Sequence, residues 1–259
     1  MKKLNALFVA VGLFSSMSVM AQETLRYGLE SQYPPFESRN ASGDLEGFDI
    51  ELGKAICQVG NFKCSWVESS FDALIPALAA RKFDAINSAM NITEARMKSI
   101  GFTKPVYRIP SQLIGKTGSG LQPTIASLKG KNIGVLQGSV QETFAKKHWE
   151  PQGVTVTPYQ DQNQVYNDMV AGRLDGTLVM SAAGQSGFLA KPQGKGFSFA
   201  GDPVEDTQVL GVGIGFGLRK DDTKLKEALD AAITKVQADG TVTKLAAKFF
   251  PGIDVAVKE

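Results

Sequence analysis

Strand-like and helix-like runs alternate along this chain, and the alternation occurs twice. In the first half the runs fall at strand 25–29, helix 49–59, strand 62–67, helix 71–80, strand 84–86 and helix 93–98. The second half has strand 133–136, helix 141–147, strand 154–159, helix 165–171 and strand 176–179. Such alternation is typical of α/β units, because a helix carries the chain back to begin the next parallel strand. We therefore predict two similar α/β lobes with parallel sheets.

Two extended apolar segments, 106–116 and 209–218, are long enough to cross between these lobes. In the second segment the glycines at 211, 213, 215 and 217 alternate at strand period, and their spacing does not match the dinucleotide-binding fingerprint. We predict that the two segments form a hinge and that the glycines permit close packing there. The chain ends in predicted helices 225–238 and 241–249, which we expect to return to the first lobe.

The first 21 residues have the pattern of a cleavable secretion signal. Lys2 and Lys3 precede an apolar run at 4–19, which is shorter than the about 20 residues of a membrane-spanning helix. Val19-Met20-Ala21 has the small-residue pattern that signal peptidase cuts after, and no cysteine lies beside that cut, which argues against a lipid-anchored product. We therefore expect residues 1–21 to be removed and the product to be periplasmic. Without Lys2 and Lys3 the basic residues equal the 26 acidic ones, so a nucleic-acid partner is not expected.

The chain has two cysteines, Cys57 near the end of a predicted helix and Cys64 in the strand after it. An exported chain meets an oxidising compartment, so we predict a Cys57–Cys64 disulfide that contributes roughly 2–3 kcal/mol. A metal site would need several histidine or cysteine ligands, and His148 is the one histidine. We therefore expect neither a metal nor a cofactor.

Arg96 lies in the first turn of the predicted helix at 93–98, within the segment FDAINSAMNITEAR. A cation there opposes the positive end of the helix dipole, at a cost of ~0.3–1 kcal/mol. An external carboxylate would remove the conflict, because both a guanidinium and a helix N-terminus favour an anion. The alternative is that Arg96 pairs with Glu94 or lies in solvent.

Eight blocks of the sequence resemble the lysine/arginine/ornithine-binding and histidine-binding proteins, the periplasmic components of ABC amino-acid importers. The blocks are YPPFES, GFDIELGKAIC, FDALIPALAARKFDAI, ITEAR, FTKPVY, LKGKNIGVLQGSVQE, GFGLRKDD and ADGTVTKLAAKFF. The resemblance implies a type II periplasmic-binding-protein fold of two lobes, each a mixed sheet flanked by helices. It places lobe 1 at 22–109 and 212–259 and lobe 2 at 110–211, with hinge strands at the ends of lobe 2. It also implies a small-molecule ligand, an inner-membrane ABC permease as partner, and a monomer.

The same resemblance assigns roles to residues of lobe 1 and lobe 2. Arg96 would clamp the ligand α-carboxylate, and Tyr33 and Phe71 would sandwich its side chain. Glu30 would face a distal cation, and Ser88 would present a hydroxyl. The full set of ligand-binding residues expected from the resemblance is Glu30, Tyr33, Phe71, Ser88, Ala89, Asn91, Arg96, Leu136, Ser139, Val140 and Met180.

Several of these positions depart from the family pattern. Ala89 and Asn91 stand where hydroxyl residues are usual, and Val140 stands where a threonine donates. Met180 replaces the aspartate that pairs with the ligand α-ammonium, which would leave a buried charge unpaired. Ser181 or Glu30 could accept from that ammonium instead. We therefore predict a cationic amino acid of the lysine, arginine, ornithine or histidine type, or a derivative substituted at nitrogen, such as an opine.

Two other function classes are compatible with this fold. A dehydratase would need an acid–base pair in the cleft, and Glu30 is the one cleft acid that the sequence suggests. A sensor would use the same lobes to signal to a receptor. We expect a binding protein and no catalysis.

Overall fold

The computed structural model describes residues 22–257, and the predicted signal segment 1–21 lies outside them. The strands are β1 (Glu23–Leu29), β2 (Gln32–Tyr33), β3 (Glu37–Arg39), β4 (Leu45–Glu46), β5 (Phe62–Glu68), β6 (Ala85–Ile86), β7 (Gly101–Phe102), β8 (Ser111–Lys116), β9 (Asn132–Leu136), β10 (Thr155–Tyr159), β11 (Gly176–Met180), β12 (Phe197–Phe199) and β13 (Gly217–Leu218). The helices are α1 (Phe48–Gly60), α2 (Leu74–Ala79), α3 (Glu94–Met97), α4 (Ile125–Leu128), α5 (Val140–His148), α6 (Gln162–Val170), α7 (Ser181–Gly184), α8 (Thr207–Leu210), α9 (Thr223–Ala238) and α10 (Thr241–Phe249).

The strands form two separate five-stranded sheets, each the centre of one lobe. The first sheet has the order β5-β1-β6-β13-β7, and the second has the order β10-β9-β11-β8-β12. In the first, β1 pairs in parallel with β5 and β6. In the second, β9 pairs in parallel with β10 and β11. The segment between β1 and α1 forms a small third sheet, in which β3 pairs antiparallel with both β2 and β4.

Both sheets are mixed. The strand–helix alternation predicted parallel sheets, and this prediction is wrong for one strand in each sheet. β13 runs antiparallel to β6 and β7, and β8 runs antiparallel to β11 and β12. These reversed strands form the last residues of the two predicted linkers, so the chain enters each sheet from the hinge against the direction of its parallel core. The two-lobe α/β fold with mixed sheets is confirmed.

The two linkers cross side by side. The Ile214 amide donates to Tyr107 O at 2.7 Å, and the Val106 amide donates to Ile214 O at 2.8 Å. A Cβ at Gly213 would lie 3.2 Å from Tyr107 O, so a side chain there would press on the neighbouring linker. The predicted second linker begins too early, because its first residues belong to α8, whose N-terminus is capped by the Asp206 carboxylate.

The first lobe is closed by its own C-terminal helices. Helices α9 and α10 both pack on α1, and Phe250 stacks or tilts against Phe36, Phe48 and Tyr107. The Cys57–Cys64 disulfide joins α1 to β5, with 6.2 Å between the two Cα atoms, as predicted. Among residues 22–257, no helix is long and apolar enough to span a membrane.

Candidate ligand-binding site

Arg96 projects from the first lobe toward the second. Thr93 caps α3 by accepting from the Arg96 amide at 3.2 Å. The Arg96 guanidinium donates to Asn91 O at 2.9 Å and to Gly138 O, in the second lobe, at 3.0 Å. Burial lowers the pKa of Arg96 to about 10. Across residues 22–257 no ion pair includes Arg96, so the alternative pairing with Glu94 is not formed.

The Phe71 ring lies beside this guanidinium, with 5.4 Å between Arg96 Cζ and the ring centroid. Phe71 begins a short 3-10 helix that leads directly into α2. This contact holds the planar guanidinium in one orientation, and within residues 22–257 the acceptors of its two hydrogen bonds are both carbonyl oxygens. A carboxylate would be a stronger acceptor for these donors than a neutral carbonyl.

Glu30 is the buried acid of the same wall. It follows β1 and is 3% exposed. Its Oε1 accepts from the Gln32 amide at 3.0 Å, while Oε2 has no hydrogen-bond partner within the described part of the chain. Burial raises the pKa of Glu30 to about 7; the Gln32 amide opposes the shift, and the like charge of Asp161 adds to it. A buried carboxyl with a free oxygen is suited to accept from a cationic group.

Ser88 and Tyr33 complete the first-lobe wall. The Ser88 hydroxyl accepts from the Glu30 amide at 3.0 Å and donates to Glu37 at 2.6 Å, so one lone pair remains. Tyr33 stacks on Phe36, with 5.5 Å between the ring centroids. Burial raises the pKa of the Tyr33 hydroxyl, and a hydrogen bond to the Met180 backbone opposes that shift.

Ala89 and Asn91 contribute backbone to the site. Ala89 has φ +44, a left-handed conformation that is uncommon for a residue other than glycine, and its amide donates to Asp49 at 2.6 Å. Asn91 forms an isolated antiparallel bridge with Ile214 of the second linker. Its carbonyl is the one that holds Arg96. The turn between β6 and α3 is therefore tied both to the lobe interior and to the hinge.

The second-lobe wall is mainly apolar. Leu136 ends β9, Val140 begins α5 and Met180 ends β11, and all are buried. The Ser139 hydroxyl accepts from the Glu142 amide at 3.0 Å, so its oxygen caps α5. The predicted site residues are thus brought to two facing walls; their roles toward a ligand stay predictions.

The two walls touch each other. Gln137 donates to Asp72 at 3.1 Å, and a Cβ at Gly138 would lie 2.9 Å from Asp72 Cα. Arg96 reaches Gly138 O across the same boundary. Tyr33 joins a buried cluster that also contains Met180 and Tyr166. The lobes are therefore in a closed arrangement.

Sequence reasoning missed two buried acids behind this site, Glu37 and Asp49. They are 1% and 2% exposed and lie in β3 and α1. Their positions next to Phe36 and Phe48, in otherwise apolar surroundings, are the signal that could have indicated buried acids.

A cavity of about 890 Å³ lies at the hinge, lined by both linkers and the segment 251–254. Of the eleven predicted ligand-binding residues, which all fall within 22–257, Asn91 alone lines it; Ser181, the alternative acceptor, lines it as well. The candidate site is therefore the contact between the lobes and not this cavity. Over the same residues, no cluster of three or more histidine, cysteine, aspartate or glutamate side chains is arranged to hold a metal ion.

Two α/β lobes, paired linkers and a charged wall facing an apolar one define a two-lobe solute-binding protein. Residues 25–252 match the family model of bacterial extracellular solute-binding proteins, family 3. The chain belongs to that family.

Relatives of this chain include amino-acid-binding proteins. The histidine-binding periplasmic protein of Salmonella typhimurium is 47% identical over 253 residues, covering 96% of this chain and 97% of that protein. The lysine/arginine/ornithine-binding periplasmic protein of Escherichia coli is 47% identical over 251 residues, covering 96% of each. A solved structure of a Salmonella typhimurium periplasmic binding protein of high arginine specificity superimposes with a TM-score of 0.81 at 29% identity, covering 88% of this chain and 99% of that one.

Proposed function

We propose that this protein captures a cationic amino acid, or an amino-acid derivative, and delivers it to an ABC permease of the inner membrane. The observation that carries the proposal is that one wall holds two charged groups without partners among residues 22–257. Arg96 has no carboxylate partner, and Glu30 has a buried Oε2 without a donor. A ligand with a carboxylate at one end and a cation at the other would supply both missing partners. The binding functions named for the relatives support this reading.

In this proposal the ligand first docks on the first lobe. Arg96 takes its carboxylate, Tyr33 and Phe71 contact its side chain, and Glu30 takes the distal cation. The second lobe then closes through residues near Ser139 and Met180. Only contacts that form in the closed arrangement favour closure, and one of these is the hydrogen bond from the Arg96 guanidinium to Gly138 O.

The second-lobe wall is as compatible with a ligand substituted at its α-nitrogen as with a plain amino acid. Met180 and Val140 are buried and apolar where a free α-ammonium would need an acceptor. Ser181, next in the chain, has a buried Oγ with no partner within the described residues and is one candidate acceptor. A substituted nitrogen would carry carbon atoms that Met180 could pack against, as in an opine conjugate of arginine or ornithine.

The proposal keeps the chain organisation that was expected from the sequence. The lobes are 22–109 with 212–259 and 110–211, residues 1–21 are a signal peptide, and the mature protein is a periplasmic monomer. Binding rather than catalysis is proposed because the relatives that share 47% of their residues with this chain are named as binding proteins.

Calorimetry on unfolded, ligand-stripped and refolded protein would test the proposal. The panel is arginine, lysine, ornithine, histidine, octopine and nopaline, with glutamate as a matched anionic control. We expect tight binding of at least one cationic member and none of glutamate. Binding of glutamate alone, or of no member while mass spectrometry finds an unrelated compound in the native protein, would overturn it.

A further inference from the structure

The hinge cavity of about 890 Å³ has no role in the proposed function. Its volume is typical of sites that hold a small organic molecule. The cavity is lined by both linkers and by residues that follow strands of both sheets: Asn91 follows β6, and Ser181 follows β11. A molecule bound there would contact both lobes and the two segments that join them.

Two of the lining residues are polar and buried, and their side chains have no partners. Ser181 is 6% exposed, and its Oγ has no hydrogen-bond partner within residues 22–257. Asn91 is 8% exposed; its carbonyl accepts from Arg96 and its backbone bridges to Ile214, while its side-chain amide makes no hydrogen bond within the same residues. A buried polar group without a partner costs free energy, so both side chains favour a polar group in the cavity.

Arg108 supplies the positive charge of the cavity lining. It belongs to the first linker, is partly buried, and its backbone amide donates to Val255 O at 3.0 Å. Within residues 22–257 its guanidinium takes part in no ion pair and in no hydrogen bond. A guanidinium, a hydroxyl and a side-chain amide all donate hydrogens, and a carboxylate accepts from each of them.

The three acids that line the cavity are exposed or already paired. Asp206 is hydrogen-bonded to Lys147 and His148, and it also caps α8. Glu205 and Asp254 are exposed. Water and salt screen exposed charges, so these acids act only weakly on an anion bound beside the buried polar groups.

The rest of the lining includes apolar side chains from both linkers. Ile109 belongs to the first linker and Val212 to the second. Val212 is 59% exposed, the highest value among the large apolar side chains of residues 22–257. Covering such a side chain with another apolar group is favourable. The cavity therefore suits a molecule that has both a carboxylate and an apolar body.

We propose that the hinge cavity is a second ligand-binding site, which takes a small carboxylate with an apolar chain. Arg108, Asn91 and Ser181 bind the carboxylate, and the chain covers Val212. This second site goes beyond the function proposed for the cleft and does not depend on which amino acid the cleft binds. With Ser181 engaged in the cavity, Glu30 remains as the acceptor for a free α-ammonium in the cleft. Because the lobes are closed around this cavity, a ligand that fills it adds contacts to the closed arrangement and favours closure.

Octanoate is the probe for this site, with octanamide as its neutral analogue and octylammonium as its cationic one. NMR titration of ¹⁵N-labelled, ligand-stripped protein gives each Kd and shows which backbone amides respond. We expect octanoate to shift the amides of Ser181, Val212 and Gly213 and to bind about tenfold more tightly than octanamide, with octylammonium the weakest. Tighter binding of octylammonium, no binding of octanoate, or shifts confined to the cleft around Phe71 and Arg96 would overturn the proposal.

Two variants test the residues that are assigned to the site. Arg108→Gln should raise the Kd of octanoate roughly tenfold and leave that of octanamide unchanged, because it removes the charge and keeps a polar side chain. Val212→Asp adds a carboxylate to the lining and should weaken octanoate by several-fold through repulsion. Arg81→Gln and Val170→Asp change exposed side chains that do not line the cavity, and both should bind octanoate as wild type does. Equal octanoate affinity in wild type and Arg108→Gln would overturn the proposal.

Repeating the octanoate titration with the tightest panel ligand bound tests the link to closure. Closure around that ligand should strengthen octanoate binding by about fivefold or more, and octanoate should strengthen binding of the panel ligand by the same factor, because coupling between two binding sites is reciprocal. Equal octanoate affinity with and without the panel ligand would overturn the link. If octanoate binds at the hinge of a protein that binds no panel ligand, the proposed function fails and the second site stands.

Discussion

The two walls of the cleft satisfy their polar groups in different ways. On the first lobe, within residues 22–257, Arg96 donates its guanidinium hydrogens only to neutral carbonyls and Glu30 keeps one oxygen without a donor. On the second lobe, the Ser139 hydroxyl caps its own helix and Met180 presents a thioether. The wall with unsatisfied charge can recognise a charged ligand, whereas the mainly apolar wall can add shape and exclude water. Our proposal therefore assigns recognition and closure to different lobes.

Removing Arg96 should have the largest effect on binding. Arg96→Ala deletes two charge-assisted bonds of ~1.5–3 kcal/mol each to a ligand carboxylate, so the Kd of the best ligand should rise roughly 10²- to 10⁴-fold. Titration calorimetry measures this change. Arg81→Ala, which removes an exposed guanidinium paired with Asp221, is the matched control and should bind as wild type does. Near-wild-type affinity in Arg96→Ala would mean that the first lobe is not the carboxylate-binding wall.

Glu30→Gln should weaken a cationic ligand by roughly 10- to 100-fold, since one charge-assisted bond is lost. A cation favours the ionised acid, so with a pKa of about 7 in the free protein, wild-type affinity should fall as pH drops below about 7. The variant should lose this acid dependence. Calorimetry with arginine at several pH values measures both effects, and Glu94→Gln, exposed on α3, provides a control. An acid dependence that persists in Glu30→Gln would assign it to another group.

The residues of the first-lobe wall were easier to predict from sequence than the buried acids behind them. Arg96 stands out because a cation in a first helical turn is locally unfavourable, and the structure shows it directed toward the other lobe. Glu37 and Asp49 have a weaker local signal, the neighbouring Phe36 and Phe48, which does not by itself show that the acids are buried. Burial of an acid depends on which distant residues meet it, and here the partners are Ser88, Ala89 and Tyr107.

The fold shows the same division between local and distant information. Alternating periodicity located the parallel strands, and the predicted helix at 241–249 matches α10. The reversed strands β8 and β13 could not be predicted from periodicity, because strand direction is set by where the chain re-enters a sheet. The helical start of the second linker was missed for a related reason: its Asp206 cap is recognisable only if the following residues are already expected to be helical.

Met180→Asp should give the second wall the charge that it lacks. We expect about a tenfold shift of preference toward plain arginine or lysine and away from octopine, because the new acid pairs with a free α-ammonium and disfavours carbon at that position. Competition between labelled arginine and octopine measures the shift. Met180→Leu keeps the position apolar and should retain the wild-type preference. An unchanged preference in Met180→Asp would place the ligand nitrogen elsewhere.

Gln137→Ala should have the smallest effect, because it removes a contact that only the closed form makes. The Gln137–Asp72 hydrogen bond of 3.1 Å joins the two walls and is only partly buried. Because water competes for both partners, we expect it to contribute about 0.5–1.5 kcal/mol, or roughly a two- to tenfold rise in Kd. The loss should appear as faster ligand dissociation in stopped-flow measurements, with association unchanged, since docking on the first lobe precedes closure in our proposal. Gln164→Ala removes a Gln–Asp hydrogen bond inside the second lobe and is the matched control. Slower association in Gln137→Ala, with dissociation unaltered, would show that the second wall takes part in the first encounter and that recognition is shared between the lobes.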